Sequence, residues 1–310
     1  MSSGQSIDIL GLGAVAVDDL LYVDEYPAAE RKVRVRHRLR QCGGLTGTAL
    51  VAAARLGARC GYAGVLGDDE LSRFAMDCLQ REGVDLSHRV PRPDAVPAYS
   101  TIVVDETRHT RTIFSSVAGA IGADPRLPEP DVIRSASVLL VDHHGLEGTL
   151  RATRIARDAG RSVVADFERN PGSPFSELLA LVDHLLVSER FARELSGDPN
   201  ASASELASRL WTPARRTVVI TCGAEGGWYR GQSDPVPQHY SAFQVNVLDT
   251  TGCGDVFHGA YAAALAEGRD LEQRVRFASA AAALKATERG GQAGCPSRAA
   301  VKEFLESISR

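Results

Sequence analysis

Between residues 138 and 222 the chain alternates short apolar runs with longer amphipathic ones, and this alternation constrains the fold more than any other feature. Residues 138–142, 162–166, 184–187 and 217–222 are strand-length runs rich in Val, Ile and Leu. Between them lie helical patterns over 149–159, 175–181 and 189–195, the first stopped by Gly160. Strands that read as near-continuous apolar runs are buried on both faces. Joined by helices, they predict a mostly parallel sheet with helices on each side, an α/β fold of Rossmann-like type. Two Ala-rich helical patterns, 255–267 and 271–287, end near Gly268 and Gly290 and close the chain.

The N-terminal part is less regular. Residues 6–17 read as a buried first strand with a glycine interruption, followed by strand patterns over 20–26 and 33–40. The second of these alternates apolar and basic residues, the period of a strand with one wet face. A helix is expected over 46–56, a strand over 60–66 and a helix over 69–82. Residues 98–105 and 111–115 read as a hairpin turning at 106–109. The segments around 18–42 and 98–116 do not fit a strand–helix alternation. They predict a small separate sheet over one edge of a single domain spanning 1–310.

A formal charge of −4 supplies no global field for nucleic acid. No apolar run reaches about 18 residues, so no membrane span is expected. The first ten residues lack the basic-then-apolar pattern of a signal peptide. None of the six cysteines forms a C-x-x-C pair or a zinc-ligand spacing. Together these features predict a cytoplasmic protein with a small-molecule substrate.

The sharpest chemical signal is Asp249-Thr250-Thr251-Gly252-Cys253-Gly254-Asp255, directly before an Ala-rich helix. Glycines permit a tight turn and close backbone approach. The first N–H groups of a helix lack internal partners and sit at its positive end, which makes an anion site. An Asp at a helix start is also a common cap, so position alone leaves Asp255 open between cap and catalyst. A carboxylate beside an anion hole repels phosphate. That cost makes sense if it removes a proton while the N–H groups hold developing negative charge.

This segment resembles the C-terminal signature of the PfkB or ribokinase family of carbohydrate kinases, D-T-x-G-A-G-D-x-F, with Cys253 in place of Ala. The resemblance runs from about residue 8 to 305 and implies a ribokinase-like fold whose small β-sheet is a lid. It implies Asp255 as catalytic base, with Gly252, Cys253 and Gly254 offering backbone N–H groups to the transferred phosphoryl. Cys42-Gly43-Gly44-Leu45-Thr46-Gly47-Thr48-Ala49 is similar to the family's G-G-x-x-x-N-x-A signature, with Thr48 where Asn is usual. Asp18 matches a substrate-binding Asp near the end of the first strand.

On the nucleotide side, the run 218–227 is similar to the family's glycine turn, which implies Thr221, Gly223 and Gly226 as ATP contacts. Ser188-Glu189-Arg190-Phe191 stands where the family often has N-x-x-E, so Mg²⁺ is expected to be held by ATP and water. Asp249, Thr251 and the loop 289–295 with Gly291 resemble a monovalent-cation loop, with K⁺ the candidate. Within the family the C-terminal stretch is most similar to sulfofructose kinases, and Lys32 matches a lysine those kinases use toward the sulfonate. Phe114 and His144 stand where Asn and Arg align and are carried as substrate-side candidates. Arg111, Arg34, Arg36 and Arg38 are candidates for facing an anionic group. An exposed edge of the lid sheet would favour a homodimer through the lid.

The resulting expectation is ATP-dependent phosphorylation of a hydroxyl, by preference a primary one, on a small sugar or sugar derivative. A nucleoside kinase of the same fold is the nearest rival. A NAD-dependent oxidoreductase rests on Gly11-Leu12-Gly13-Ala14-Val15-Ala16, which fits G-x-G-x-x-A but is not followed by a helical pattern. A non-catalytic sugar-binding regulator is a third reading, disfavoured by an intact Asp255.

Overall fold

A computed structural model describes residues 7–108 and 110–308. The first part comprises β1 (Ile9–Leu12), β2 (Ala16–Val23), β3 (His37–Gly43), α1 (Leu45–Arg55), β4 (Cys60–Tyr62), β5 (Val65–Leu66), α2 (Glu70–Arg81), β6 (Val90–Pro91), β7 (Ala98–Asp105) and β8 (Thr110–Ser116). The middle comprises α3 (Pro130–Ser135), β9 (Val138–Asp142), α4 (Leu146–Asp158), β10 (Ser162–Asp166), α5 (Phe175–Leu181), β11 (His184–Ser188), α6 (Glu189–Ser196) and α7 (Ala203–Leu210). Then follow β12 (Thr217–Thr221), β13 (Gly227–Gly231), β14 (Gln238–Tyr240), α8 (Cys253–Ala266), α9 (Leu271–Ala286) and α10 (Arg298–Ile308).

Eight strands form the main sheet in the order β14-β13-β12-β11-β10-β9-β1-β4. All its pairings are parallel except those of β13 and β14, which run antiparallel at one edge. Strand residues alternate between two cores. Ile9, Leu140, Val164, Leu186 and Val219 pack under α1, α8 and α9. Leu10, Leu139, Val163, Leu185 and Val218 pack toward the helices α3 to α7. The predicted helix–sheet–helix layering is therefore present. No helix among the described residues is long and apolar enough to cross a membrane.

A second sheet has the order β3-β2-β7-β8. The first strand expected over 6–17, with its glycine interruption, is here two strands in two different sheets, and Ser6 lies outside the described residues. The chain leaves the main sheet after Leu12 and enters the small sheet at Ala16. Glycine-bearing residues 13–15 make the crossing. Residues 33–36 remain outside the strand that the alternation suggested, and β3 begins at His37. The 106–109 turn is as expected for Glu106 to Arg108, while His109 lies outside the described residues.

β1 lies between β4 and β9, so the chain order reverses there. Open α/β sheets place ligands in the crevice at the carboxyl ends of strands beside such a reversal. The residues at these ends are Gly13, Asp142 and Asp166.

Candidate active site

Helix α8 begins behind Gly252, whose φ of 79° is left-handed and whose N-cap position carries no side-chain hydrogen bond. Asp255 stands three residues further on, so it is not the N-cap, and the capping alternative falls away. The Cys253 N–H turns back to the Thr250 carbonyl. A Cβ placed on Gly254 would meet nothing within 4 Å, so the backbone there faces open space. An uncapped helix start with open approach can receive an anion through its N–H groups.

The Asp255 carboxyl is pushed well above the usual range, first by desolvation and then by Asp166, Glu168, Asp18 and Asp142. It is partly accessible itself, but acids surround it. A carboxylate raised in this way is, when ionised, a stronger base toward a hydroxyl proton than an ordinary aspartate.

On the small sheet, Asp18, Gln41, Ser100 and Ser115 stand in one cross-strand row. Burial pushes the Asp18 carboxyl up to about 6, against the hydrogen bond from Ser100. A Cβ on Gly43 would lie 2.1 Å from Asp18 Oδ2, so only glycine fits beneath this acid. Gly44, at φ 86°, starts α1 in a space closed by the backbone of Ala14 and Val15. Thr48 is buried on α1, its methyl 3.5 Å from where a Gly252 Cβ would stand. Gln41 Oε1 accepts from the Gly291 N–H at 3.0 Å, and Gly291 in turn abuts Gly252. Asp18, Gly43, Thr48, Gly252 and Gly291 thus form one connected neighbourhood.

Two substrate-side candidates do not join it. Phe114 pairs with Thr101, one residue out of phase with the Asp18 row, so pleating turns it to the opposite face. It is 53% exposed there. Lys32 lies in the exposed loop between β2 and β3. His144 follows the end of β9, and both its backbone N–H and its Nδ1 lie against Asp142 Oδ1, at 2.8 and 3.2 Å. Arg36 and Arg38 are held by Asp24 and Asp19, whereas Arg111 donates to Thr250 Oγ1 at 2.6 Å, within the 249–255 turn.

Toward the sheet edge, Ser188 and Thr221 are paired neighbours at the ends of β11 and β12. Ser188 Oγ also caps α6 by accepting from the Phe191 N–H. Gly223 is open to solvent, while Gly226 passes so close to the Tyr240 carbonyl that no side chain fits. Glu189 is engaged by Arg193 at 2.7 Å. Among the described residues no cluster of three or more His, Cys, Asp or Glu could hold a metal ion. A magnesium ion here would keep water and phosphate oxygens as its ligands.

Several residues at the site carry no motif. Asp142 is fully buried and accepts from the Ala14 N–H and the Thr46 hydroxyl at 2.6 and 2.9 Å. A Cβ on Gly13 would fall on both partners. The G-x-G-x-x-A string therefore serves this close packing, and β2, not a helix, follows it. Asp166 ends β10 and sits 3.3 Å from His258, whose ring also bridges the Gly254 and Leu186 carbonyls. Two buried amide nitrogens here, Gln41 Nε2 and Gln292 Nε2, have no hydrogen-bond partner. Such groups are rarely left unmatched, and a polyhydroxyl ligand would satisfy them.

Residues 7–298 match the family described as pfkB family carbohydrate kinase. The ribokinase of Haemophilus influenzae is 29% identical over 95% of this chain and 97% of its own. A crystal structure of a proposed ribokinase from Agrobacterium tumefaciens superposes with a TM-score of 0.89 at 30% identity, covering 99% of this chain and all of that one. The Arabidopsis thaliana ribokinase in complex with ribose and ATP has a TM-score of 0.84 at 21% identity, covering 97% and 99% of the two chains, and shares the fold. With a family match that runs across residues 7–298, nearly its whole length, this chain belongs to the pfkB family of carbohydrate kinases.

Proposed function

We propose that this chain, as a single kinase domain, phosphorylates a hydroxyl of a small sugar or sugar derivative at the expense of ATP, with Asp255 as general base. The observation that carries the reading is an uncapped helix start and a carboxyl of raised pKa on the same turn. ATP-bound ribokinase of the same fold supports the choice of nucleotide. When bound, ATP with Mg²⁺ supplies the phosphoryl group and screens its charge.

The chain's own residues do the rest. Asp18, backed by Ser100, accepts hydrogen bonds from substrate hydroxyls, and Gln41 and Gln292 offer amide groups to others. Asp255 takes the proton of the reacting hydroxyl. The N–H groups of Gly252, Gly254 and Asp255 face the charge that develops as the proton leaves, while the Cys253 N–H stays within the turn on the Thr250 carbonyl. Ser188, Thr221 and Gly223 border the nucleotide. The small sheet acts as a lid that keeps water from the reaction.

The outer lid face carries Phe114, with Leu21 and Val103 half-buried in the neighbouring row. This face is assigned to a homodimer contact. The six free thiols fit a reducing compartment such as the cytoplasm.

The test is a phosphoryl-transfer screen that couples ADP release to substrate, across ketoses, aldoses, aldonates, sulfonated sugars and nucleosides. Turnover on a sugar well above that on adenosine or inosine supports the reading. Preference for a nucleoside would move the assignment to the rival kinase class.

A further inference from the structure

Lys285, near the end of α9, is fully buried. Its Nζ donates to the Asp249 carbonyl at 2.8 Å and to the Glu288 carbonyl at 3.1 Å. Burying an ammonium is costly unless hydrogen bonds and opposite charge compensate it. Here both are present. The Asp249 carboxylate stands beside the same loop, accepting from the Thr251 and Gly290 N–H groups at 2.8 and 2.9 Å. Burial pushes that carboxyl up, but the N–H groups and Lys285 outweigh it and hold it below the usual range. Space for the lysine stem is reserved as well, since a Cβ on Gly294 would come within 2.8 Å of Lys285 Cδ.

The sequence resemblance predicts a monovalent cation bound by Asp249, Thr251 and the 289–295 loop. The residues present do not fit one. The carbonyls of Asp249 and Glu288, which wall this loop, already face a fixed positive charge. A second cation placed among them would meet the ammonium at close range.

We propose that Lys285 is the built-in cation of this loop. It holds the irregular segment leading into the 249–255 turn against the 288–295 segment, so the kinase needs no added monovalent ion. The link to the reaction is short, because Gly291 of this segment abuts Gly252 and bonds to Gln41. Lys285 is thus a positioning residue that acts through the 252–255 turn. The effect on turnover rests on the kinase reading; the effect on cation binding does not.

The experiment compares the full chain with Lys285→Met, which keeps the stem and removes the charge. Each is measured in KCl, NH₄Cl and choline chloride at equal ionic strength, for turnover and for thermal midpoint. The unmodified chain is expected to show the same turnover and midpoint in all three salts. Lys285→Met is expected to lose turnover by about 10²-fold in choline, the scale of a displaced catalytic turn. K⁺ or ammonium, but not choline, should restore its turnover and raise its midpoint. Should the variant fail to fold, the unmodified chain still decides. Clear stimulation of it by K⁺ over choline overturns the proposal, as does full activity of Lys285→Met in choline. A variant that neither K⁺ nor ammonium restores in either readout reduces Lys285 to packing and likewise overturns it. If no substrate is turned over, the midpoints alone decide between these outcomes.

Discussion

Asp18 illustrates how the site trades stability for chemistry. Its folded pKa, about 6, lies above the ordinary aspartate value of 3.8. Between those values the folded form holds a proton that the unfolded chain has released. Stability therefore rises as pH falls from 6 toward 4, and the destabilisation is fully present above 6. In the proposed role Asp18 accepts from substrate hydroxyls in its ionised form, so kcat/KM should fall as pH drops through about 6. Asp18→Asn is expected to raise Tm by a few degrees at pH 7.5 while lowering kcat/KM by about 10-fold or more. Calorimetry and steady-state assays on the same preparation check both signs. At this scale the glycine-flanked acids were legible, because Gly43, Gly252 and Asp255 fall in short patterned strings. Gln41, Ser100, Asp166 and Gln292 were not. Each is an ordinary polar residue in its own segment, and only the row pairing of β2, β3 and β7 and the return of the 288–295 loop bring them together.

Helix α8 is the element on which the 252–255 turn depends. One turn after Asp255, Gly259 lies so close to α1 that a Cβ would meet the Ala49 carbonyl oxygen at 2.1 Å. The Ala-rich faces of both helices permit this approach. Gly259→Ala forces the helices apart against backbone, not a movable side chain. It should cost about 1–3 kcal/mol in denaturant unfolding and lower kcat by displacing Asp255. An unchanged denaturation midpoint would show that the contact is looser than described. The strand–helix alternation predicted most elements, from β9 through α9, because buried parallel strands write an unbroken apolar run. At residues 6–17 one apolar string serves two sheets. Composition does not change at the crossing, and only the bend at residues 13–15 separates β1 from β2.

At the scale of the molecule, the site lies where the small sheet, the reversal point of the main sheet and α8 meet. The two faces of the small sheet have different work. One carries Asp18 and Gln41 toward the site, while the other exposes Phe114. The sequence placed Phe114 on the substrate side because alignment gives order along the chain but not the phase of the pleat. A homodimer through the outer face makes a specific demand. Phe114→Asp should convert dimer to monomer in light scattering after gel filtration; a monomeric unmodified chain would remove this contact. Asp255 remains the centre of the mechanism. Asp255→Asn preserves size and the helix start but cannot accept a proton. On the substrate found by the transfer screen, it should lower kcat by about 10²–10⁴-fold while calorimetry still registers ATP binding. Near-normal turnover by this variant, with ATP bound, would contradict the role of Asp255 as general base.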